Sequence, residues 1–259
     1  MSLFTDSSLN QESDLQDRES SILNVAQLEG VDTGAKRALA QEDIATQVQL
    51  FLLQDPWLDP RAFQRRIDGL CDVVVSPSLR RWHAELSIAL IYSDAYSNQL
   101  NDRYLAKLTQ YEGLVRESAI RYFLSGVGLV YDPIPKAACP TLTAVNGAAS
   151  SATYYFAVAW LNAKGQEGAS SDIVSLTTSA GSVPMLSMTR VPPNAQGWNI
   201  YGGADPSALA LQNSGPLPLP LTVPVTWTLP DSGLIAGRPP GIGQCPERFV
   251  VNESRIQRG

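Results

Sequence analysis

The sequence predicts an α+β chain in two domains: an N-terminal α-helical bundle or hairpin followed by a C-terminal β-sandwich. Three observations carry this. Apolar residues recur at helical spacing up to about residue 125 and alternate at strand spacing from about 141. Charge is lopsided: residues 1–136 hold 13 Lys+Arg and 19 Asp+Glu, residues 137–259 hold six of each, so the whole net charge of −6 lies in the first part. Between them, Asp132-Pro133-Ile134-Pro135-Lys136 is a stiff connector, because two prolines fix φ and forbid helix. A length of 259 residues suits two modest domains.

Residues 1–30 are rich in Ser, Asp, Glu, Gln and Asn. Alone they bury too little apolar surface to offset their ordering entropy. Short apolar spacings at Leu15, Ile22, Val25 and Leu28 suggest an extended N-terminal arm that orders against a partner or neighbouring subunit; a floppy terminus is the alternative. A helical domain is expected over 31–136. Residues 33–54 place Ala35, Leu39, Ala45, Val48, Phe51 and Leu52 near helical spacing and stop at Asp55-Pro56. Val73-Val74-Val75-Ser76 reads as a short strand or buried turn. Ser78 can cap a second helix to about Gln99, with the stripe Leu79, Trp82, Leu86, Ala89 and Leu90. Asn101 can cap a third, Asp102 to about Leu124, with the stripe Tyr104, Leu108, Tyr111, Val115, Ala119 and Tyr122, and Gly126 as its stop. The short link between them predicts an antiparallel hairpin.

Residues 137–243 read as β. Tyr154, Phe156, Val158 and Trp160 fall on one face of a strand, Tyr155, Ala157 and Ala159 on the other. A polar turn at 162–168 leads to a return strand at 173–177. Further strands are expected at Thr141–Val145, Met185–Thr189, Gly197–Tyr201, Leu209–Asn213 and Pro224–Leu229. About seven short strands with frequent turn signals fit an immunoglobulin-like sandwich, without the Cys and Trp framework of antibody domains. Residues 244–259 form a tail whose Phe249, Val250, Val251 and Ile256 are strand-like and flanked by arginines; such a tail could add an edge strand to a partner sheet, or fray.

Composition narrows the function. An acidic chain is poorly suited to wrapping nucleic acid through phosphates or to an anionic membrane surface. No run of about 18 apolar residues is present, and the N-terminus lacks a basic start and apolar stretch, so the expectation is no membrane span and release into the cytoplasm. Cys71, Cys139 and Cys245 form no CxxC pair, which argues against a compact zinc site and a disulfide scaffold. The one histidine, His83, has no local nucleophile or acid on its helical face and reads as a surface or helix-packing residue. Asp55, Asp59, Asp68 and Asp72 could gather round a metal, or form a solvated acidic surface. Arg65-Arg66 and Arg80-Arg81 are interleaved with acids and read as salt-bridging or subunit-contact residues. No phosphate loop is present; Gly237–Gly243 holds two prolines that remove the N–H donors such a loop needs. Trp160, Trp198 and Trp227 read as core. The expectation is no catalytic, metal or cofactor site, and no enzyme.

Two stretches carry a resemblance. Residues 73–136, from Val73-Val74-Val75-Ser76-Pro77-Ser78 through Tyr92–Lys107 to Gly126-Val127-Gly128-Leu129-Val130-Tyr131-Asp132-Pro133, resemble the helical module of tailed-phage head-to-tail adaptor (connector) proteins. Residues 138–240, by Ala152–Gly168, Gly197–Tyr201 and Gly233–Pro240, resemble the fibronectin type III-like or immunoglobulin-like domains of phage structural proteins. The resemblance implies a virion structural protein at the neck, assembled in the host cytoplasm. It implies a dodecameric ring that docks on the portal protein, joins capsid to tail or neck proteins and passes genomic DNA through an acidic channel without specific binding. By that analogy Phe249, Val250, Val251, Arg255, Ile256 and Arg258 are portal or neighbour contacts, and Trp82, Leu86, Leu90, Tyr104, Leu108 and Tyr111 pack the ring-body helices. The sandwich would be a collar or dock tail proteins. The alternative is a neck, collar or baseplate decoration whose sandwich binds host surface glycan through exposed aromatics.

Overall fold

The computed structural model describes residues 1–53, 70–99, 102–220 and 224–251. Among these, five helices and ten strands, all paired antiparallel, make a mixed α+β structure. The chain forms two compact units: Ser7–Val130 with the residues from Pro246 on, and Met1–Asp6 with Tyr131–Cys245.

The helical unit contains α1 (Glu12–Gln16), α2 (Ile22–Glu29), α3 (Thr33–Leu53), α4 (Pro77–Gln99) and α5 (Asp102–Ser125). The first two correct the expectation of an extended arm. Leu15, Ile22, Val25 and Ala26 are buried against α4, so the sparse apolar residues find their burial in a tertiary partner. Leu28 stays exposed. Gly30, at φ 66°, ends α2 in the left-handed conformation that an L side chain resists. Met1–Asp6 belongs to the other unit, where Leu3 and Phe4 are buried and the N-terminal amine donates to the Gln244 carbonyl oxygen at 3.0 Å.

Asp32 Oδ1 accepts from the Ala35 N–H (3.0 Å) and starts α3. Its buried face is Ala40, Ile44, Val48 and Leu52, a strict i+4 row. Of the expected stripe, Val48 and Leu52 are buried, while Ala35 and Leu39 at its start are exposed. Expected stop residues Asp55 and Pro56 lie outside the described residues, as does the Asn101 cap. Ser76, not Ser78, caps α4: its Oγ accepts from the Leu79 N–H at 3.2 Å, and Pro77 opens the helix where its missing N–H is harmless.

α4 is the centre of the unit, packed on α1, α2, α3 and α5. That is why it buries Leu79, Trp82, Ala84, Ile88, Ala89, Ile91, Tyr92 and Ala95, more than one stripe. α5 packs on it as the expected hairpin partner through Tyr104, Tyr111, Ser118 and Tyr122. Tyr92 stacks on Tyr111 (centroids 5.9 Å), and Trp82 meets Tyr122 (5.7 Å) and Phe123 (5.6 Å edge-on). The Trp82 Nε1 and the Tyr122 hydroxyl are buried with no hydrogen-bond partner among the described residues. Burial holds the Tyr122 hydroxyl pKa well above its usual value. An unbonded buried hydroxyl costs about 1–3 kcal/mol. Tyr122→Phe keeps the ring and is expected to raise urea-unfolding stability by about 1 kcal/mol with an unchanged m-value. A loss instead would show that the hydroxyl is bonded in solution.

The β unit has a three-stranded sheet, β2 (Thr141–Asn146), β5 (Ser182–Met188), β9 (Val225–Thr228), in that order. A second sheet runs β4 (Val174–Thr178), β3 (Ala152–Leu161), β6 (Gly197–Gly203), β7 (Ala210–Leu211), with β8 (Leu217–Pro218) also on β6. Their facing sides share one core: Phe156, Val158, Trp160, Trp198 and Ile200 meet Val183, Leu186, Met188 and Val225. The expected alternation along β3 is present in register, but both faces are buried. Ala157 and Ala159 pack with Tyr201 and Leu209 on the far side. The segment 235–238 runs along that side, with Leu211 N–H donating to the Arg238 carbonyl at 2.9 Å and Gln212 Nε2 to that of Ile235 at 3.0 Å. A Cβ at Gly237 would lie 2.5 Å from the Leu211 carbonyl oxygen, so only glycine permits this approach.

Candidate assembly surface

Of the predicted contact residues of the tail, Phe249, Val250 and Val251 lie where α5 ends. After α5, Gly126 (φ 93°) turns the chain into β1 (Val127–Leu129). β10 (Arg248–Val250) returns to pair with it, Val127 opposite Val250, Gly128 opposite Phe249 and Leu129 opposite Arg248. A side chain at Gly126 would have its Cβ 2.8 Å from Val251 Cγ1. The expected edge-strand addition is thus made within this chain. On β1's other side, Val73 bridges Leu129 and the Val74 N–H donates to the Gly128 carbonyl at 2.9 Å, so Val73–Ser76 enters the α4 cap through a bridge and not a regular strand. Val250 is buried by the pairing, which corrects its assignment as a portal or neighbour contact; Phe249 (56 % exposed) and Val251 (45 %) face solvent. Arg255, Ile256 and Arg258 lie outside the described residues.

Sequence reasoning missed the residues that gather beside them. Phe51 of α3 meets Phe123 of α5 with centroids 4.6 Å apart, so the C-terminal ends of the two helices run together. The residues flanking these rings, Leu50 and Leu53 on α3 and Ile120 and Leu124 on α5, are exposed, Leu124 by 67 %. With Phe249 and Val251 they place six exposed apolar side chains around the ends of α3, α5 and β10. A signal existed: Ile120 and Leu124 lie i,i+4 to each other and off the stripe that faces α4. Apolar exposure at the ends of three elements of one unit is a feature to test as a contact surface, where a lone exposed leucine is not. Of the residues expected to pack the helices, Trp82, Tyr104 and Tyr111 are buried, while Leu86, Leu90 and Leu108 are half-buried at the rim.

His83 is fully buried and tied into the fold. Asn10 Nδ2, which also donates to the Arg80 carbonyl at 2.6 Å, lies 3.1 Å from His83 Nδ1. Nδ1 must therefore accept, and Nε2 carries the hydrogen it gives to the Arg37 carbonyl (2.9 Å). Both nitrogens are spent on joining the 7–11 segment, α3 and α4. Burial, helped by the Arg37 charge, holds the imidazole below its usual 6.5 despite the bond to the Arg37 carbonyl. The sign follows. Below pH 6.5 the unfolded chain takes a proton on His83 that the folded chain resists, so stability falls as pH drops from about 6.5 toward the lower folded value. Asp6, held by burial above the usual carboxylate range, works in the opposite sense at lower pH. The melting temperature is expected to fall more between pH 7 and pH 5 in the native chain than in His83→Gln; equal falls would contradict the assignment.

Two carboxylates serve as hydrogen-bond hubs that the local sequence did not announce, Glu85 buried and Glu167 half-buried. Glu85 is 2 % exposed, accepts from Arg81 Nε at 2.8 Å and from the Ser118 hydroxyl on α5, and lies 3.8 Å from Arg18. Arg81 thus forms the expected ion pair, while Arg65 and Arg66 lie outside the described residues. Glu167, in the turn after β3, accepts from the Tyr201 hydroxyl (2.6 Å), Asn199 Nδ2 (2.8 Å) and Arg238 (2.5 Å). Burial by itself would raise its pKa, but those donors outweigh burial and hold it below the usual carboxylate value. Cys139 and Cys245 are exposed thiols; Cys71 is half-buried, and burial with the neighbouring Asp72 pushes it up to about 11. Among the described residues no three His, Cys, Asp or Glu side chains gather to hold a metal, and Asp55, Asp59 and Asp68 lie outside them. No described helix is long and apolar enough to cross a membrane. Trp160 and Trp198 are core and Trp227 is half-buried. No protein-family model, curated protein or solved structure matches the chain.

Proposed function

We infer that this chain is a virion structural protein, the head-to-tail adaptor of a tailed phage, acting by assembly. One observation carries the reading: the six exposed apolar residues Leu50, Leu53, Ile120, Leu124, Phe249 and Val251 around the ends of α3, α5 and β10, a surface suited to a neighbouring subunit or a portal. In a ring, each such contact is repeated by symmetry and raises the effective concentration of the next. The net charge of −6 suits a channel that DNA must slide through without sticking. In this reading the β unit is a fibronectin III/Ig-like sandwich, a second domain following the helical one in sequence. The two sheets sharing one core support that; the sheet order β2-β5-β9, with β5 central, is its own.

The test is native mass of the protein, alone and mixed with the portal protein of the same genome. A complex near twelve copies is expected, with Ile120→Glu and Leu124→Glu abolishing it while leaving the fold intact by circular dichroism. Absence of portal binding at every salt concentration sinks the adaptor role.

A further inference from the structure

We propose that the groove beside β9 in the β unit docks an extended, uncharged strand of a partner protein, which adds to the free edge of β9. The β unit alone carries this, so it stands or falls independently of the adaptor role.

β9 is the last strand of its sheet, paired to β5 on one side. The register fixes which groups are free. The Leu229 N–H donates to the Pro184 carbonyl oxygen at 3.0 Å. Hydrogen-bonded pairs alternate in an antiparallel ladder, so Trp227 and Val225 exchange bonds with Leu186 and Met188. The N–H and C=O groups of Thr226 and Thr228 therefore point away from β5, and no described residue pairs with that edge. Beside it lies a cavity of about 520 Å³, walled by the segments 217–220 and 224–227 with Trp198 at its side. That volume falls within the range of about 300–1,000 Å³ common to binding sites.

The chemistry names the occupant. An unpaired row of backbone donors and acceptors is complemented by another extended backbone. No charged residue lines the groove, and Thr226 is its one polar side chain, so the strand's inward side chains are uncharged and apolar. A sugar would need several polar side chains for its hydroxyls, and these walls do not supply them. The opposite bank cannot hold the ladder: Pro216, Pro218 and Pro220 leave three of five successive residues without an N–H. Pairing is thus directed to β9, with alternate side chains entering beside Val225 and Trp227.

The experiment uses the full chain, labelled with nitrogen-15, and pooled capped octapeptides that alternate threonine with valine, leucine or phenylalanine. Saturable amide shifts are expected at Thr226 and Thr228, with shifts of the Trp198 and Trp227 indoles. Thr226→Pro removes one outward N–H without touching the β5 ladder, and is expected to weaken binding about tenfold. Leu219→Asp places a charge in the groove from the other bank and is expected to do at least as much, so the result does not hang on one variant folding. Shifts absent at millimolar peptide, or unchanged by both variants, overturn the proposal. So do saturable binding of oligosaccharides in place of peptide, and self-association that Thr226→Pro abolishes.

Discussion

Trp82→Ala is expected to destabilise the helical unit by about 3–5 kcal/mol, the cost of emptying a fully packed aromatic site. Trp82 is 1 % exposed and touches Tyr122 and Phe123 on α5. Phe123 in turn meets Phe51 on α3, so one indole holds the contact chain that joins three helices. With total stabilities of about 5–15 kcal/mol for domains of this kind, such a loss is a large fraction of the whole. Urea unfolding with near-ultraviolet circular dichroism measures it. Trp82→Phe is the informative partner: the indole N–H has no hydrogen-bond partner among the described residues, so its removal costs only packing. A loss under about 1.5 kcal/mol is expected there, in keeping with milder volume changes. A loss that small for alanine would mean α5 does not rest on Trp82. The same experiment bears on assembly, because Leu124 and Ile120 are displayed by the helix that Trp82 seats.

Trp198→Ala is expected to cost a similar 3–5 kcal/mol in the β unit. Trp198 is 1 % exposed and sits opposite Trp160 in the β3–β6 register, with centroids 6.1 Å apart. Both indoles lie in the core shared by the two sheets, so truncation opens a cavity between layers. Trp198 also borders the groove beside β9, so peptide binding should disappear with it. Leu219→Asp separates the two effects: Leu219 is half-buried at the rim, and its replacement is expected to impair docking while costing under about 1 kcal/mol of stability.

Much of the helical unit was legible in local pattern. Thr33–Leu53, Pro77–Gln99 and Asp102–Ser125 fall within a few residues of the expected spans, because apolar periodicity and the Gly126 stop are local; the caps Asp32 and Ser76 came from the structure, Ser78 having been expected. Strands β2, β3, β4, β5, β6 and β9 follow alternation the same way. Faces were less legible. The α3 stripe was misplaced at its start because Leu39 and Ile44 compete for the same wheel, and only the position of α4 selects Ile44. The candidate surface was partly legible: Phe249 and Val251 stand in a strand-like tail, while the exposure of Leu50, Leu53, Ile120 and Leu124 depends on which faces of α3 and α5 pack on α4.

The sequence by itself determined the helix-to-strand order and most element boundaries; it put the break near residue 137, while the compact units divide between Val130 and Tyr131. Order and boundaries rest on periodicity, stop signals and prolines within a few residues of one another. Tertiary structure decided the rest. It made helices of residues 12–29 by giving Leu15 and Ile22 a partner in α4. It tied Met1 to Gln244, 243 residues away, and paired β10 with β1. It turned His83 and Glu85 into buried joints and Glu167 into a half-buried one. The physical reason is common to all of them. Burial and hydrogen-bond partnership are set by groups brought together from distant parts of the chain, and no local spacing encodes which groups those are.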